Sequence, residues 1–363
     1  MALDFEIIPY TLKFKFDAKT SRGSLKEHNS WIIKVRDDLQ WNIVGYGECA
    51  PFEGLSIDDL PDFEERMTRA LIKIERTKMP DTLEKIASYV THIDDSLPSV
   101  KFGLETALRD LYYGGKQKIF DTSFFNNNDT IDINGLIWMA DKNTMLERLE
   151  LKVMCGFECI KLKIGALNIA EEIDILDSAR AMIGTDELSI RVDANGAYSV
   201  EEAKNVLSLL AKYKVHSIEQ PIKPGQHAAM KELCATSPVP IALDEELIGI
   251  SDIDEKRSLL EAIRPQYIVL KPTLLGGFSA TAEWIELAEE LNIGWWITSA
   301  LESNIGLNAI CQFTSQYKTT MPQGLGTGEL YENNIVSPLS IENGCVYWDK
   351  EKYWYLKMAE RQV

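Results

Sequence analysis

The sequence is short of the residues on which many binding chemistries depend. Histidine occurs four times in 363 residues, as His28, His92, His216 and His227, with no metal-ligating spacing. The six cysteines, Cys49, Cys155, Cys159, Cys234, Cys311 and Cys345, are scattered. Cys155 and Cys159 lie four apart, but no second pair or nearby histidine completes a zinc site, and free thiols in a reducing cytoplasm are expected. Basic residues are outnumbered, 38 Lys and Arg against 56 Asp and Glu, a net charge of −18. That balance argues against nucleic acid and anionic membrane as partners, since both call for a basic footprint. No apolar run approaches the roughly 20 residues of a membrane span. The opening MALDFEIIPY has no basic or apolar signal region, so no signal peptide and a cytoplasmic location are expected. No Gly-rich phosphate loop opens a helix, which weighs against a doubly wound nucleotide-binding sheet.

What is present is ordinary for a soluble globular chain, 45% hydrophobic and 26% charged. Residues 5–50 carry three segments rich in β-branched and aromatic residues, ending in Trp41–Cys49, and read as strands. Residues 57–115 read as helices, the last with an apolar stripe of Val100, Leu104, Ala107, Leu108 and Leu111. Strands followed by helices predict a small α+β domain. The polar, Asn-rich stretch 120–130 reads as a linker. Beyond it, strand and helix alternate: Ile131–Trp138, Glu158–Ile164, Leu188–Asp193, His216–Glu219, Pro240–Asp244, Tyr267–Lys271, Ile293–Thr298 and a weak Gln323–Gly326. Eight strands are the number that a (β/α) TIM-type barrel needs.

The second of these strands raises a question of charge. Alternation sends Lys161 and Lys163 to one side and Ile160, Leu162 and Ile164 to the other. A solvated edge strand would explain an isolated Lys-x-Lys, but five successive strands each end in an ionisable residue: Lys163, Asp193, Glu219, Asp244 and Lys271. Their spacing of 25 to 30 residues is about one strand–loop–helix–loop unit. All five therefore fall at the C-terminal mouth, where barrel enzymes keep their active sites. Three carboxylates gathered in a low-dielectric mouth repel one another unless a cation lies between them. Oxygen donors without His or Cys select a hard ion, Mg2+ or Mn2+. A metal flanked by lysines suits one chemistry above others, in which the metal stabilises the enolate of a substrate carboxylate while an amine removes its α-proton.

The sequence resembles the enolase superfamily, in its muconate-lactonizing-like, two-lysine branch. The resemblance rests on Lys161-Leu-Lys163, Val192-Asp-Ala-Asn-Gly196, Ile218-Glu-Gln-Pro221, Leu243-Asp-Glu-Glu246 and Leu270-Lys-Pro-Thr273, with Phe102–Leu111 similar to the helix that joins cap to barrel. It implies a capping α+β domain over residues 1–125, a barrel over 126–330, and a C-terminal segment, 331–363, that returns to the cap. It also implies Asp193, Glu219 and Asp244 as metal ligands, with catalytic Lys163 and Lys271 facing each other across the substrate.

No His–Asp pair marks the late strands, which argues against the mandelate-racemase-like branch. Within the two-lysine branch, Asn134–Trp138 and Trp296–Gly306 look like the o-succinylbenzoate synthases, and Gly324–Gly328 lacks the acids with which dipeptide epimerases hold an ammonium. The resemblance then implies a small carboxylate substrate, loss of water through an enediolate, and a place in menaquinone biosynthesis. Dipeptide epimerase and N-acylamino acid racemase are the alternatives. Lys161, Asn134, Asn195, Ser299 and Gly324 become candidate substrate contacts. Arg191 either favours a dianionic substrate or forms a structural ion pair in the barrel. Loops near Arg22–Ser24 and Pro51–Leu55 are expected to close over the substrate.

Overall fold

The computed structural model describes residues 2–20, 23–126, 129–167, 169–183 and 188–356. Strands β1 (Leu3–Thr20), β2 (Gly23–Asp37) and β3 (Gly45–Cys49) form an antiparallel sheet in that order. Period-two alternation gives this sheet two buried faces. Leu3, Ile33 and Val35 pack against the cap helices, whereas Ile8, Tyr10, Leu12 and Phe14 pack with Trp138, Leu301, Ile305 and Tyr331 of the barrel side.

The helix Pro98–Tyr112 starts on a proline, whose missing N–H costs nothing in the first turn. Its predicted stripe is buried throughout, and Phe102 on the opposite side enters the barrel core, so this helix joins the two units. The helix lies so close to β3 that a Cβ on Gly47 would stand 1.9 Å from the carbonyl oxygen of Gly103. The Gly-Tyr-Gly sequence is therefore a packing requirement.

The stretch read as a polar linker behaves differently. A short helix, Ser123–Asn126, sits within it, and Phe120 and Phe124 are buried in the barrel core. Two aromatic side chains outweigh the polar composition around them. Asn127 and Asn128 of that stretch lie outside the described residues.

The predicted first barrel strand divides in two. Thr130–Asp132 (β4) pairs with the late strand Cys345–Trp348 (β13), and only Gly135–Ile137 (β5) enters the barrel. The parallel strands β6 (Cys159–Lys163), β7 (Ser189–Asp193), β8 (Ser217–Glu219), β9 (Ile241–Leu243), β10 (Tyr267–Leu270) and β11 (Gly294–Ile297) follow in ring order. The eighth position is held by Gln323 and Gly324, which bridge to Ile133 on one side and Thr298 on the other. Asn134 N–H donates to the Gln323 carbonyl at 2.9 Å and Gly324 N–H to that of Ile297 at 2.8 Å, closing the ring.

A helix follows each of β5 to β11; the one after β7, Val200–Leu210, opens with the expected capping box of Ser199 and Glu202. No helix follows Gly324 among the described residues. The chain runs instead to the cap, where Phe14 bridges Tyr331 and Lys15 N–H donates to the Leu330 carbonyl at 2.9 Å. It then forms a hairpin, β12 (Leu339–Glu342) and β13 (Cys345–Trp348), that pairs with β4 at the foot of the barrel. All six cysteines are free, and no helix is long and apolar enough to cross a membrane among the described residues.

One buried carboxylate ties the cap to the barrel. Glu48 of β3 accepts from Ser303 N–H at 2.9 Å, Ser303 Oγ at 2.6 Å and Gly306 N–H at 3.0 Å, at the N-terminus of the helix Asn304–Thr314. Burial, with the nearby Glu302 charge, outweighs these hydrogen bonds and pushes Glu48 up to about 7. Burial also pushes Asp110 up to about 7. A folded-state pKa above the unfolded value means that the neutral acid favours the fold. Its contribution is complete below the unfolded pKa of about 4 and is lost as pH rises through the folded value. The melting temperature is thus expected to fall between about pH 5 and pH 8, and Glu48→Gln to flatten that fall. Parallel wild-type and variant profiles would show Glu48 ionised throughout the range.

Candidate active site

The alternation of β6 places Lys161 and Lys163 inside the barrel, with Ile160, Leu162 and Ile164 turned to the outer core. In the parallel register Lys163 lies beside Asp193, and Asp193 beside Glu219. Lys161 Nζ donates to both Glu219 oxygens, at 3.1 and 2.9 Å, and stands 3.1 Å from Asp193 Oδ2. Lys163 Nζ donates to Asp193 Oδ2 at 2.5 Å and to Asn195 Oδ1 at 2.9 Å. Lys271, one residue beyond β10, donates to Asp244. The three carboxylates are at most 2% exposed, so each is held by an ammonium group instead of by water.

Two turns hold these groups, and both use left-handed backbone. Asn195 has φ 46°, a conformation that Asn tolerates better than most side chains. Its N–H donates to Asp193 Oδ1 at 3.1 Å and its Nδ2 to Glu245 at 3.1 Å. Gln220, at φ 40°, is fully buried. Its Oε1 accepts from Asp244 N–H at 3.1 Å and Glu246 N–H at 3.3 Å, while Nε2 donates to the Ile222 carbonyl and to Glu246, both at 3.0 Å. Gln220 therefore positions Asp244 from the neighbouring strand. Sequence reasoning places it within a motif and gives it no role; its position immediately after Glu219 is the available signal.

A second positioning residue that sequence reasoning misses is Glu302. It accepts from Ser299 Oγ at 2.6 Å, Ala300 N–H at 2.8 Å and the Thr273 hydroxyl. It thereby fastens the loop after β11 to the turn after Lys271.

Over the lysines lies a cavity of about 60 Å³. Lys161, Lys163, Lys271, Asn134, Asn195, Ser299 and Gly324 all line it, with Thr20, Phe52 and Leu55 as its cap-side wall. Asp193, Glu219 and Asp244 lie behind the lysines. Of the two expected lid loops, Pro51–Leu55 meets the cavity through Phe52 and Leu55; Arg22 lies outside the described residues.

Arg191 does not join this wall. Alternation puts it on the inner side with Asp193 but one layer deeper. There its guanidinium stands 4.0 Å over the Trp296 ring and donates to the Pro322 carbonyl at 2.8 Å. No carboxylate bonds it among the described residues, so a ring and a carbonyl hold it in place of an ion pair.

The electrostatics separate the lysines. For Lys161 burial opposes the charged form, but Glu219, Asp193 and Asp244 outweigh it and raise its pKa. Lys271 is raised likewise, against burial, by Asp244 and Glu245. Lys163 moves the other way: burial, aided by the Lys161 charge, lowers it. Burial disfavours the Asp193 carboxylate, yet Lys163 and Lys161 hold it well below the usual range. Glu219 is pushed up to about 8, by burial first and the Asp193 charge second. Glu219 therefore holds its proton more tightly than Asp193, which the lysine charges keep ionised.

An all-oxygen donor set of this kind fits a hard divalent cation. Among the described residues no three acidic, His or Cys side chains converge on one ligating point, because Lys161 Nζ stands between Asp193 and Glu219.

A family model described as enolase C-terminal domain-like matches residues 144–351, more than half of the chain. The chain belongs to the enolase superfamily. It is 43% identical over 361 residues to an o-succinylbenzoate synthase of Desulfotalea psychrophila, covering 92% of this chain and 96% of that protein. The crystal structure of MenC from the same organism superposes with a TM-score of 0.84 at 39% identity, over 96% of this chain and 100% of that one. A dipeptide epimerase of Enterococcus faecalis, complexed with Mg and the dipeptide L-Leu-L-Tyr, has the same fold, with a TM-score of 0.84 at 21% identity over 97% and 98% of the two chains.

This enolase-superfamily mouth makes a prediction about charge. Lys161→Met leaves Glu219 and Asp193 short of a buried cation, at a cost of about 3 kcal/mol in metal-free protein. The loss should be largest near pH 8 and smaller near pH 5, where Glu219 takes up a proton. Urea denaturation at the two pH values reads it, and an unchanged midpoint would show that Lys161 does not neutralise the acids.

Proposed function

We propose that the protein is an o-succinylbenzoate synthase, a cytoplasmic lyase of menaquinone biosynthesis. It would dehydrate 2-succinyl-6-hydroxy-2,4-cyclohexadiene-1-carboxylate to 2-succinylbenzoate. The observation that carries this reading is the placement of Lys163 and Lys271. Their strands are four positions apart in a ring of eight, so the two amines flank the cavity from opposite sides, with the acids on the three strands between. The relative at 43% identity supports the choice of substrate. So does the wall at Gly324, where a Cβ would stand 2.2 Å from Thr298 Oγ1, leaving no space for an acid that could hold a substrate ammonium.

Asp193, Glu219 and Asp244 would hold Mg2+, which when bound stabilises negative charge on the substrate carboxylate. Lys163, the amine whose pKa is lowered, takes the α-proton as the C–H bond breaks. The electron pair of that bond passes into the substrate carboxylate to give an enediolate, and returns to form the ring double bond as the C–O bond breaks on the same face. Lys163 returns the proton to the departing hydroxyl, and water leaves. Lys271, on the other face, stabilises the anion by its charge and through the ring face. Lys161 holds Glu219 through hydrogen bonds to both of its oxygens, and Asn195 holds Lys163 in place. Aromatisation makes the step strongly downhill.

A rise in aromatic absorbance on adding the cyclohexadiene tests the activity directly. Lys163→Ala and Lys271→Ala should each lower kcat by at least about 10³-fold with an unchanged circular dichroism spectrum. Turnover near wild type in either variant would refute the assignment. Dialysis against EDTA should abolish activity and Mg2+ or Mn2+ restore it; indifference to the chelator would remove the carboxylate trio from the mechanism. Incubation with N-acylamino acids or dipeptides in D2O separates the alternative: α-deuterium with inverted configuration, and no aromatic product from the diene, would make this chain a racemase or epimerase.

A further inference from the structure

Among the described residues no helix follows Gly324, and a slot lies there on the outside of the ring. It lies between the helix Lys142–Met154 and the segment 326–330 and has a volume of about 380 Å³. Four residues, Asn134, Leu136, Trp138 and Gly326, line both this slot and the cavity over the lysines. The slot therefore opens beside the reacting centre, at the seam where Gln323 and Gly324 close the barrel.

Its chemistry is unusual for so acidic a chain. Two cations, Arg148 and Lys152, line it, one helical turn apart. Neither pairs with a carboxylate among the described residues; the exposed Glu329 also lines the slot but bonds neither. The Arg148 guanidinium stands 5.1 Å over the Phe16 ring and donates to the Trp138 carbonyl at 3.3 Å. Lys152 Nζ stands 4.7 Å from the centre of the Phe157 ring. With 56 acids against 38 bases, most cations find an acid, and two half-buried ones held by rings and a carbonyl retain capacity for an anion.

Size points the same way. The cavity over the lysines, about 60 Å³, is small beside the roughly 300–1,000 Å³ of ligand sites, whereas the slot, at about 380 Å³, lies within that range. We propose that the slot is the subsite for the far end of the substrate, where Arg148, assisted by Lys152, binds a second carboxylate carried on a short flexible tail. The proposal rests on the synthase reading, in which the ring carboxylate faces Lys161 and a succinyl tail leaves the ring beside it. Aromatic walls suit the methylenes of such a tail, and Gly326 keeps the neck narrow only by its backbone.

The test is calorimetric, on full-length Mg2+-loaded protein. Its ligands are 2-succinylbenzoate and the analogue whose tail carboxylate is a primary amide. Wild type should prefer the diacid by at least tenfold. Arg148→Met, which keeps a side chain over Phe16, and Arg148→Met/Lys152→Met should lose that preference while binding the amide as wild type does. Variants that keep the wild-type preference, or that weaken both ligands equally, would overturn the subsite. Turnover of the diene accompanied by either of those results leaves the synthase reading standing and removes only this proposal. If wild type neither turns over the diene nor binds the diacid, the synthase reading falls and the subsite with it.

Discussion

Six ionisable side chains, three amines and three acids, are packed against one another inside a barrel mouth from which water is largely excluded. Burying an isolated charge costs several kcal/mol, so none of the six is tolerable alone. Each is made tolerable by its neighbour of opposite sign: Lys161 by Glu219 and Asp193, Lys163 by Asp193, Lys271 by Asp244. That interdependence constrains everything else. The strands must lie in consecutive parallel register, and the turns after β7 and β8 must adopt left-handed backbone to bring Asn195 and Gln220 into place. The charges are also uneven. Burial favours a proton on Glu219 and loosens one on Lys163, two strands away.

The cap contributes a wall and a clamp. Its sheet is apolar on both faces, one serving its own helices and the other the barrel loops. Phe52 and Leu55 reach the cavity from the segment just after β3, and Glu48 on β3 fastens that segment to the N-terminus of the helix after β11. The same loop carries Ser299, whose hydroxyl is bound to Glu302. Cavity wall and cap anchor are thus joined within a few residues on both chain segments.

Much of this is legible in the sequence because it follows periodicity. Five ionisable residues at strand ends, one per repeat, survive into the structure as a cluster, and the stripe from Val100 to Leu111 is buried as its spacing requires. What escapes lacks a period. Gln220 and Glu302 act by bonding backbone groups in turns, and a buried polar residue of that kind looks like any loop residue in sequence. Alternation assigns Arg191 to the correct side of its strand but carries no information about depth, and Trp296 and Pro322 take it below the cavity. The stretch from Ile131 to Trp138, read as one strand, is divided between two sheets, because β4 pairs with β13 and β5 with β6. Residues 120–126 mislead because two phenylalanines decide burial where the polar majority sets the average.

The clamp at Glu48 has a consequence for biosynthesis. Its partners lie 255 and 258 residues later in the chain. At ribosomal rates of about 5–20 residues per second, roughly 10–50 s separate the two halves of the contact. Throughout that interval the face bearing Ile8, Tyr10, Leu12 and Phe14 has emerged while Leu301, Ile305 and Tyr331 have not. A nascent sheet with one bare apolar side is a natural client for a chaperone, and the last third of the polypeptide releases it.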